Sequence, residues 1–346
     1  MNAPRSVLVI RTSAIGDVVM ASGLIPLLRE AWPHAHIAWL AEPGVSDLLQ
    51  HNPRIDEVIL WRKTAWLDLW RRRAYSKLVG EVRGLRTELR TRSFDLVLDL
   101  QGLLKSGVLA WLSGARERVG LASREGSARL MTRVVSPPDG DRRMSSEYRF
   151  LADALGLRRD RFRLDLVPGD AAEEGAGTLL SERGLSGRFV ALAPFTTRPQ
   201  KHWFEDRWID LATRFRDLGT PAVVLGGPGD RESGQRIASA ADNGVFNLAG
   251  QTPLSVSAAL VDRADLLVGV DTGLTHMGIA LETPTVALFG STRPYLDAMG
   301  APARILYEPL PCSPCKRNPT CGGRYDCMRA HSVEAVLRAA RELVDP

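Results

Sequence analysis

"SVLVIRTSAIGDVVMASGLIPLLRE" runs from Ser6 to Glu30. Ser6–Ile10 is a short, almost wholly apolar run, the pattern of a strand buried on both faces of a parallel sheet. A loop with one glycine, Gly16, and one carboxylate, Asp17, follows it. Val18–Glu30 then has apolar residues at three- and four-residue spacing, which predicts a helix. Strand, loop and helix together open an α/β unit. No G-x-G-x-x-G follows this first strand, which argues against NAD, and no G-x-x-x-x-G-K-[ST] occurs anywhere, which excludes a P-loop.

The same alternation continues outward from this stretch. Strands are predicted at His36–Glu42, Glu57–Trp61, Phe94–Leu100 and Glu117–Leu121, with a helix at Tyr75–Leu89 and another, "SSEYRFLADALG", capped by Gly156. A polar stretch rich in glycine, including residues 166–188, reads as a linker with one short helix. Alternation then restarts with strands at Phe189–Pro194, Pro221–Gly227, Asp265–Val270 and Pro284–Gly290. The last helix, "SVEAVLRAARELV", puts Val333, Val336, Leu337, Ala340 and Leu343 on one face and is a candidate for packing back on the first domain. The expectation is α/β: two doubly wound Rossmann-like domains, residues 1–165 and 189–346, facing a central cleft. A chain of 346 residues is long for a single core and agrees with two.

Hydrophobic residues make up 45% and charged residues 25%, the balance of a soluble globular protein. No apolar run reaches the roughly 20 residues that span a bilayer, and the N-terminus lacks the core of a signal peptide, so a cytoplasmic location is expected. The net charge of +5 favours anionic partners without choosing among phosphates, nucleic acid and a membrane surface.

The polar loops follow predicted strands, where ligands of such sheets bind. "DTGLTH" places Asp271, Thr272 and Gly273 at a helix N-terminus, whose free N–H groups attract anions, with His276 one turn in. Its plain alternative is an N-cap by Asp271 or Thr272. "PFTTRPQKHW" offers Thr196, Thr197, Arg198 and Lys201, a set suited to a diphosphate, or else a solvated basic loop. "GGPGDRES" offers Asp230 and Glu232 to ribose hydroxyls, or is a tight turn into a helix. The second domain therefore reads as built for a nucleoside diphosphate. Asp17 then has two readings, a helix cap or a general base that takes the proton of an attacking hydroxyl.

"TSAIGD", "DLQGLLKS", "TTRPQKHW" and "DTGLTH" occur in the order found in glycosyltransferase family 9. The chain resembles that family over nearly its whole length, and within it the lipopolysaccharide heptosyltransferases. The spacing of "TTR" and "KHW" looks most like heptosyltransferase I. The resemblance implies a GT-B fold and transfer of L-glycero-D-manno-heptose from ADP-heptose to Kdo of Kdo-lipid A, with inversion and no required metal. It implies Asp17 as the base, and Thr196, Thr197, Lys201, Asp271, Thr272, Gly273 and His276 around ADP and sugar, with Asp230 or Glu232 on the ribose. On the acceptor side it points to Gly16, Gln101, Lys105 and Arg124. "WRKTAWLDLWRRR" adds Arg62 and Lys63 among tryptophans, a mixture suited to anionic headgroups or to a solvated helix face. Implied partners are a nucleotide sugar and an anionic lipid acceptor at the cytoplasmic face of the inner membrane, without nucleic acid. Alternatives are another family 9 donor or acceptor, as in a heptosyltransferase II, and a non-catalytic nucleotide-sugar binder. A nucleic-acid binder would rest on charge and cysteines alone.

All four cysteines, Cys312, Cys315, Cys321 and Cys327, lie in "PCSPCKRNPTCGGRYDCM". The leading C-x2-C resembles half of a four-thiolate zinc site; the second spacing, x5, departs from a zinc ribbon. A structural zinc or a simple structural staple are the two readings.

Overall fold

The run Ser6–Ile10 is a strand, β1, buried along its whole length, as expected for the middle of a parallel sheet covered on both faces. The computed structural model describes residues 3–315 and 317–344. The chain divides into two units. One contains Met1–Asp141 and Ser145–Val167, the other Arg142–Met144 and Pro168–Pro346.

In the first unit β1 leads to α1 (Ile15–Ala21), α2 (Leu24–Ala31), β2 (His36–Ala41), α3 (Pro43–Ser46) and β3 (Glu57–Leu60). Next come α4 (Lys63–Arg71), α5 (Tyr75–Thr91), β4 (Leu96–Asp99), α6 (Leu104–Leu112), β5 (Glu117–Leu121), β6 (Arg133–Val135) and α7 (Ser146–Ala154). Its six strands are parallel in the order β3-β2-β1-β4-β5-β6. The second unit begins with α8 (Asp170–Ser181), β7 (Val190–Ala193), α9 (Glu205–Asp217), β8 (Ala222–Val224), α10 (Arg231–Ala241) and β9 (Val245–Asn247). It continues with α11 (Leu254–Asp262), β10 (Leu266–Val270), α12 (Gly273–Ala280), β11 (Thr285–Phe289), β12 (Ala303–Tyr307), α13 (Asp326–Arg329) and α14 (Val333–Val344). Its parallel order is β12-β11-β10-β7-β8-β9.

Counted from each unit's own first strand, the two sheets have the same doubly wound order, 3-2-1-4-5-6. The chain turns to opposite sides of the first strand, so a crevice opens beyond the carboxyl ends of the first and fourth strands. Those ends are β1/β4 in the first unit and β7/β10 in the second.

Several elements differ from the sequence expectation. The helix expected over Val18–Glu30 is two helices, parted at Ser22 and Gly23. Ser22 Oγ donates to the Val19 carbonyl at 2.7 Å and accepts the Asp165 N–H at 2.9 Å. A Cβ on Gly23 would lie 2.3 Å from the fully buried Phe162 ring, so the break receives the returning end of the unit's chain. Strands β6, β9 and β12 were not expected. Each is the edge of a sheet, and edge strands are only partly covered, so they lack the long apolar run that marks central ones. Within 166–188, α8 buries Ala172, Ala176 and Leu180 with Leu260 and Leu267 of the second unit's core. The final helix, α14, packs on β10, β11, β12 and α9. Val333, Val336, Leu337 and Ala340 belong to the second unit's core, which accounts for the apolar face expected to seek the first domain.

Candidate active site

Beyond β1 the chain continues into Arg11 and Thr12, both buried. Arg11 is fixed at both terminal guanidinium nitrogens: Nη1 donates to the Leu100 carbonyl at 2.9 Å, and Nη2 pairs with Asp17 Oδ2 at 2.7 Å. Leu100 follows β4, so this one side chain ties the two strands of the switch point to the Asp17 loop. Asp17 sits in the first turn of α1, beside Gly16, and its Oδ2 also accepts the Ala14 N–H at 3.2 Å. The cap expected of Asp17 is therefore present. Both contacts fall on Oδ2, and Oδ1 has no hydrogen-bond or ion-pair partner among the described residues. With 38% of its side chain exposed, Asp17 is held on one oxygen and open on the other.

The loop after β4 is folded by Asp99, which is fully buried and accepts from the N–H groups of Gln101 (3.0 Å) and Gly102 (3.2 Å) and from Ser106 Oγ (3.0 Å). Burial pushes the Asp99 carboxyl up. Gln101 Oε1 accepts from Thr12 Oγ1 at 2.7 Å and from its N–H at 3.2 Å, which locks the loop onto β1. Glu42, at the end of β2, bonds to Ser13 Oγ at 3.1 Å and pairs with Lys63 at 3.0 Å through both oxygens. Burial, and then the charge of Lys63, pushes the Lys105 ammonium down. Glu147, opening α7, lies in the field of Arg11 and Asp17, and burial pushes its carboxyl up. Gln101, Lys63 and Lys105 thus come together at the sheet's carboxyl end with Asp17. Arg62 and Arg124 are exposed, and the Arg124 N–H donates to Gly102 at 2.7 Å. Arg11, Glu42 and Glu147 are not among the residues that the sequence motifs single out. Glu42 was legible from the rule that found Asp17, since it too ends a strand next to β1.

The second unit's switch point gathers around Asp271, the residue after β10. Asp271 Oδ2 pairs with Lys201 Nζ at 2.6 Å and accepts from Thr292 Oγ1 at 2.5 Å, while Oδ1 meets His276 Nε2 at 3.3 Å. Burial would raise this carboxyl, but His276 and Lys201 outweigh burial and hold it well below the usual carboxylate range. His276, buried in α12, meets the Tyr295 hydroxyl through Nδ1 at 3.0 Å. Burial, and then the charge of Asp271, holds the Tyr295 phenol well above its ordinary value. Thr196 Oγ1 reaches the Asp271 carbonyl at 3.5 Å, and the Thr196 carbonyl is held by His202 at 2.8 Å. Thr197 is exposed beside it. Thr272 is the N-cap residue of α12, yet its side chain makes no cap hydrogen bond, and Asp271 turns instead to Lys201, His276 and Thr292. The capping alternative for this motif is not what is found. Gly273 begins a helix whose N-terminus no side chain closes. Thr292 and Tyr295 were missed because they come from the loop after β11, with no local signal of their own.

Asp230 lies near this set in sequence order but does other work. Its Oδ2 accepts the Gly227 N–H at 2.8 Å, closing the tight turn into α10. Glu232 is exposed in the first turn of that helix. Among the described residues no group of three or more His, Cys, Asp or Glu side chains is arranged to hold a metal ion. Cys312 is exposed and Cys315 and Cys321 half-buried, whereas Cys327 is packed in the core cluster with Met328. Burial pushes the Cys315 and Cys327 thiols up.

Known proteins carry the same pattern. The profile of glycosyltransferase family 9 (heptosyltransferase) matches residues 82–325. Lipopolysaccharide heptosyltransferase 1 of Pseudomonas aeruginosa is 30% identical over 330 residues, covering 91% of this chain and 87% of that one. A family 9 glycosyltransferase of Veillonella parvula superposes with a TM-score of 0.82 at 24% identity, covering 98% of this chain and 97% of its own. The ADP-heptose lipopolysaccharide heptosyltransferase II of Escherichia coli does so at 0.76 and 24%, covering 98% of each. Two parallel doubly wound sheets of this kind make the GT-B fold, and the chain belongs to glycosyltransferase family 9, the heptosyltransferases.

Proposed function

We propose that this heptosyltransferase takes its sugar from ADP-heptose and delivers it to Kdo of Kdo-lipid A, inverting the anomeric centre with Asp17 as general base. The observation that carries this reading is the state of Asp17. Arg11 and the Ala14 N–H hold Oδ2, and Oδ1 is left to accept a proton. A base must reach the proton of the attacking oxygen, and a carboxylate anchored on one side and open on the other does so with little reorganisation. The acceptor hydroxyl gives its proton to Oδ1 as its oxygen bonds to the anomeric carbon. The bond to ADP breaks on the opposite face through an oxocarbenium-like transition state. Lys105 and Lys63, with the exposed Arg62 and Arg124, supply positive charge for the acidic Kdo and its lipid phosphates.

On the donor side, the open N-terminus of α12 and the hydroxyls of Thr196 and Thr197 suit the diphosphate. Lys201 is held in place by Asp271, so its ammonium is positioned before any ligand arrives. These groups meet the charge of departing ADP, and no metal step is included. Between the two candidates for the ribose, Glu232 is favoured, because the Asp230 carboxylate already closes the Gly227 turn. An acceptor carried by lipid places the enzyme at the cytoplasmic face of the inner membrane.

The test is to incubate the protein with ADP-heptose and Kdo-lipid A and follow the lipid by mass spectrometry. A gain of one heptose with release of ADP supports the reading. Tight ADP binding without a gain would reject the proposed donor–acceptor pair, and a gain only on an acceptor that already carries heptose would assign the chain to the second transfer.

A further inference from the structure

Seven large apolar residues on three helices of the first unit face solvent: Leu67 and Trp70 in α4, Tyr75 and Val79 in α5, and Leu104, Val108 and Trp111 in α6, each 39% to 60% exposed. Scattered exposed apolar residues need no explanation. These come from three consecutive helices that cover one face of the first sheet, since Trp66, Val82, Leu85, Leu89, Leu109 and Leu112 share a single core cluster beneath them. In α6 the outer residues stand at i, i+4 and i+7, one stripe of the helix, while Leu109, Ala110 and Leu112 are buried behind it. An outer helix is ordinarily polar on its solvent side; α6 is apolar on both.

Charge accompanies this layer. Arg62–Lys77 contains six lysines and arginines and one carboxylate, Asp68, which pairs with Arg72 at 3.0 Å. Arg71, Arg73 and Lys77 are exposed and have no ion pair among the described residues. At the corner between α4 and α5 the Trp70 and Tyr75 rings meet edge-on, with centroids 5.3 Å apart. Aromatic rings with an apolar body and a polar edge, ringed by long cationic side chains, match the boundary between acyl chains and anionic headgroups. No helix among the described residues is long and apolar enough to cross a membrane.

We infer that the outer side of α4, α5 and α6 is an interfacial docking surface whose occupant is an anionic bilayer. The residues are Leu67, Trp70, Tyr75, Val79, Val108 and Trp111, with Arg71, Arg73 and Lys77 on the headgroups. The inference rests on the reading that the acceptor is carried by lipid, and it names the surface that brings the enzyme to it. A second copy seated on this layer would set its cations against their like.

The experiment is co-sedimentation of the full chain with vesicles of phosphatidylethanolamine and phosphatidylglycerol, and with vesicles of phosphatidylcholine alone, with neither donor nor acceptor present. The wild type sediments with the anionic vesicles, and the variant L67S/W70S/W111S loses at least about tenfold in partitioning. R71A/R73A/K77A loses a similar factor at low salt and little at high salt. Circular dichroism and thermal melting keep both variants comparable with the wild type. With a deacylated, water-soluble acceptor the apolar variant turns over as the wild type does, while on vesicle-borne acceptor its rate falls. Equal partitioning of wild type and variants, or no partitioning of the wild type, overturns the inference. So does a concentration-dependent dimer that the apolar variant abolishes. Because no substrate is present in the vesicle arm, its failure leaves the proposed reaction standing, and absence of wild-type turnover on the soluble acceptor would count against the reaction alone.

Discussion

At the residue scale, Arg11 decides how Asp17 is presented. One nitrogen of its fork is spent on the Leu100 carbonyl and another on Asp17, an arrangement that a lysine, with a single point of charge, cannot reproduce. Arg11→Lys is therefore expected to lower kcat by about ten- to a hundredfold, a part of the roughly hundred- to ten-thousandfold that positioned proton transfer supplies, while leaving ADP affinity unchanged. Steady-state kinetics beside ADP titration calorimetry separates the two, and an unchanged kcat would remove Arg11 from the account. Asp271 makes a prediction with a pH sign. His276 and Lys201 hold its folded-state carboxyl below the ordinary 3.8, against the effect of burial. In the unfolded chain this group takes up its proton first as pH falls. The stabilisation is therefore whole above the ordinary carboxylate range and drains away as pH falls below it toward the lower folded-state value. Asp271→Asn should cost about 1–3 kcal/mol at neutral pH, with the gap to wild type closing in acid. Urea unfolding across that range measures it; a gap independent of pH would show that the ion pairs carry little of the stability. Residues such as Asp17, Lys201 and Asp271 were legible because each follows a strand in its own motif. Thr292 and Tyr295 were not, because the bonds that recruit them span 21 and 19 residues of chain and leave no trace in local pattern.

At the scale of elements, α12 lies close on its sheet because Gly278 lets it. A Cβ there would meet Leu267 Cδ2 at 2.4 Å and Thr285 Oγ1 at 2.6 Å. Gly278→Val should shift the helix that carries His276, costing about 1–3 kcal/mol by overpacking and weakening ADP binding together with stability. A melting curve and an ADP titration on the same sample test this, and wild-type values in both would mean the contact yields easily. The central strands β1, β4, β7, β10 and β11 were legible as unbroken apolar runs because both of their faces are covered. Strands β6, β9 and β12 were not, since an edge strand needs no such run. The break between α1 and α2 was hidden for a different reason: the apolar spacing carries straight through Ser22 and Gly23, and only Phe162 and Asp165, far along the chain, reveal why the helix stops. Helix α14 shows the converse, a face read correctly whose partner proved to be the second unit's own sheet.

For the whole molecule, one topology is used twice, and each copy puts its chemistry at its own switch point. The β1/β4 end carries a carboxylate held by an arginine, and the β7/β10 end carries a lysine held by a carboxylate. We assign the base to the first unit and the diphosphate to the second. Each half should then fail separately. Lys201→Met is expected to abolish most of the thermal stabilisation by ADP, which for a ligand at a hundred times its Kd is about 2.7 kcal/mol, and a full shift in that variant would displace Lys201 from the donor site. The most direct measurement is turnover of ADP-heptose and Kdo-lipid A by Asp17→Asn, made beside its ADP affinity. The predicted result is a kcat lower by about a hundredfold or more with ADP bound as tightly as by the wild type. Turnover near the wild-type rate would contradict the account, because Asp17 would then be no more than the cap of α1.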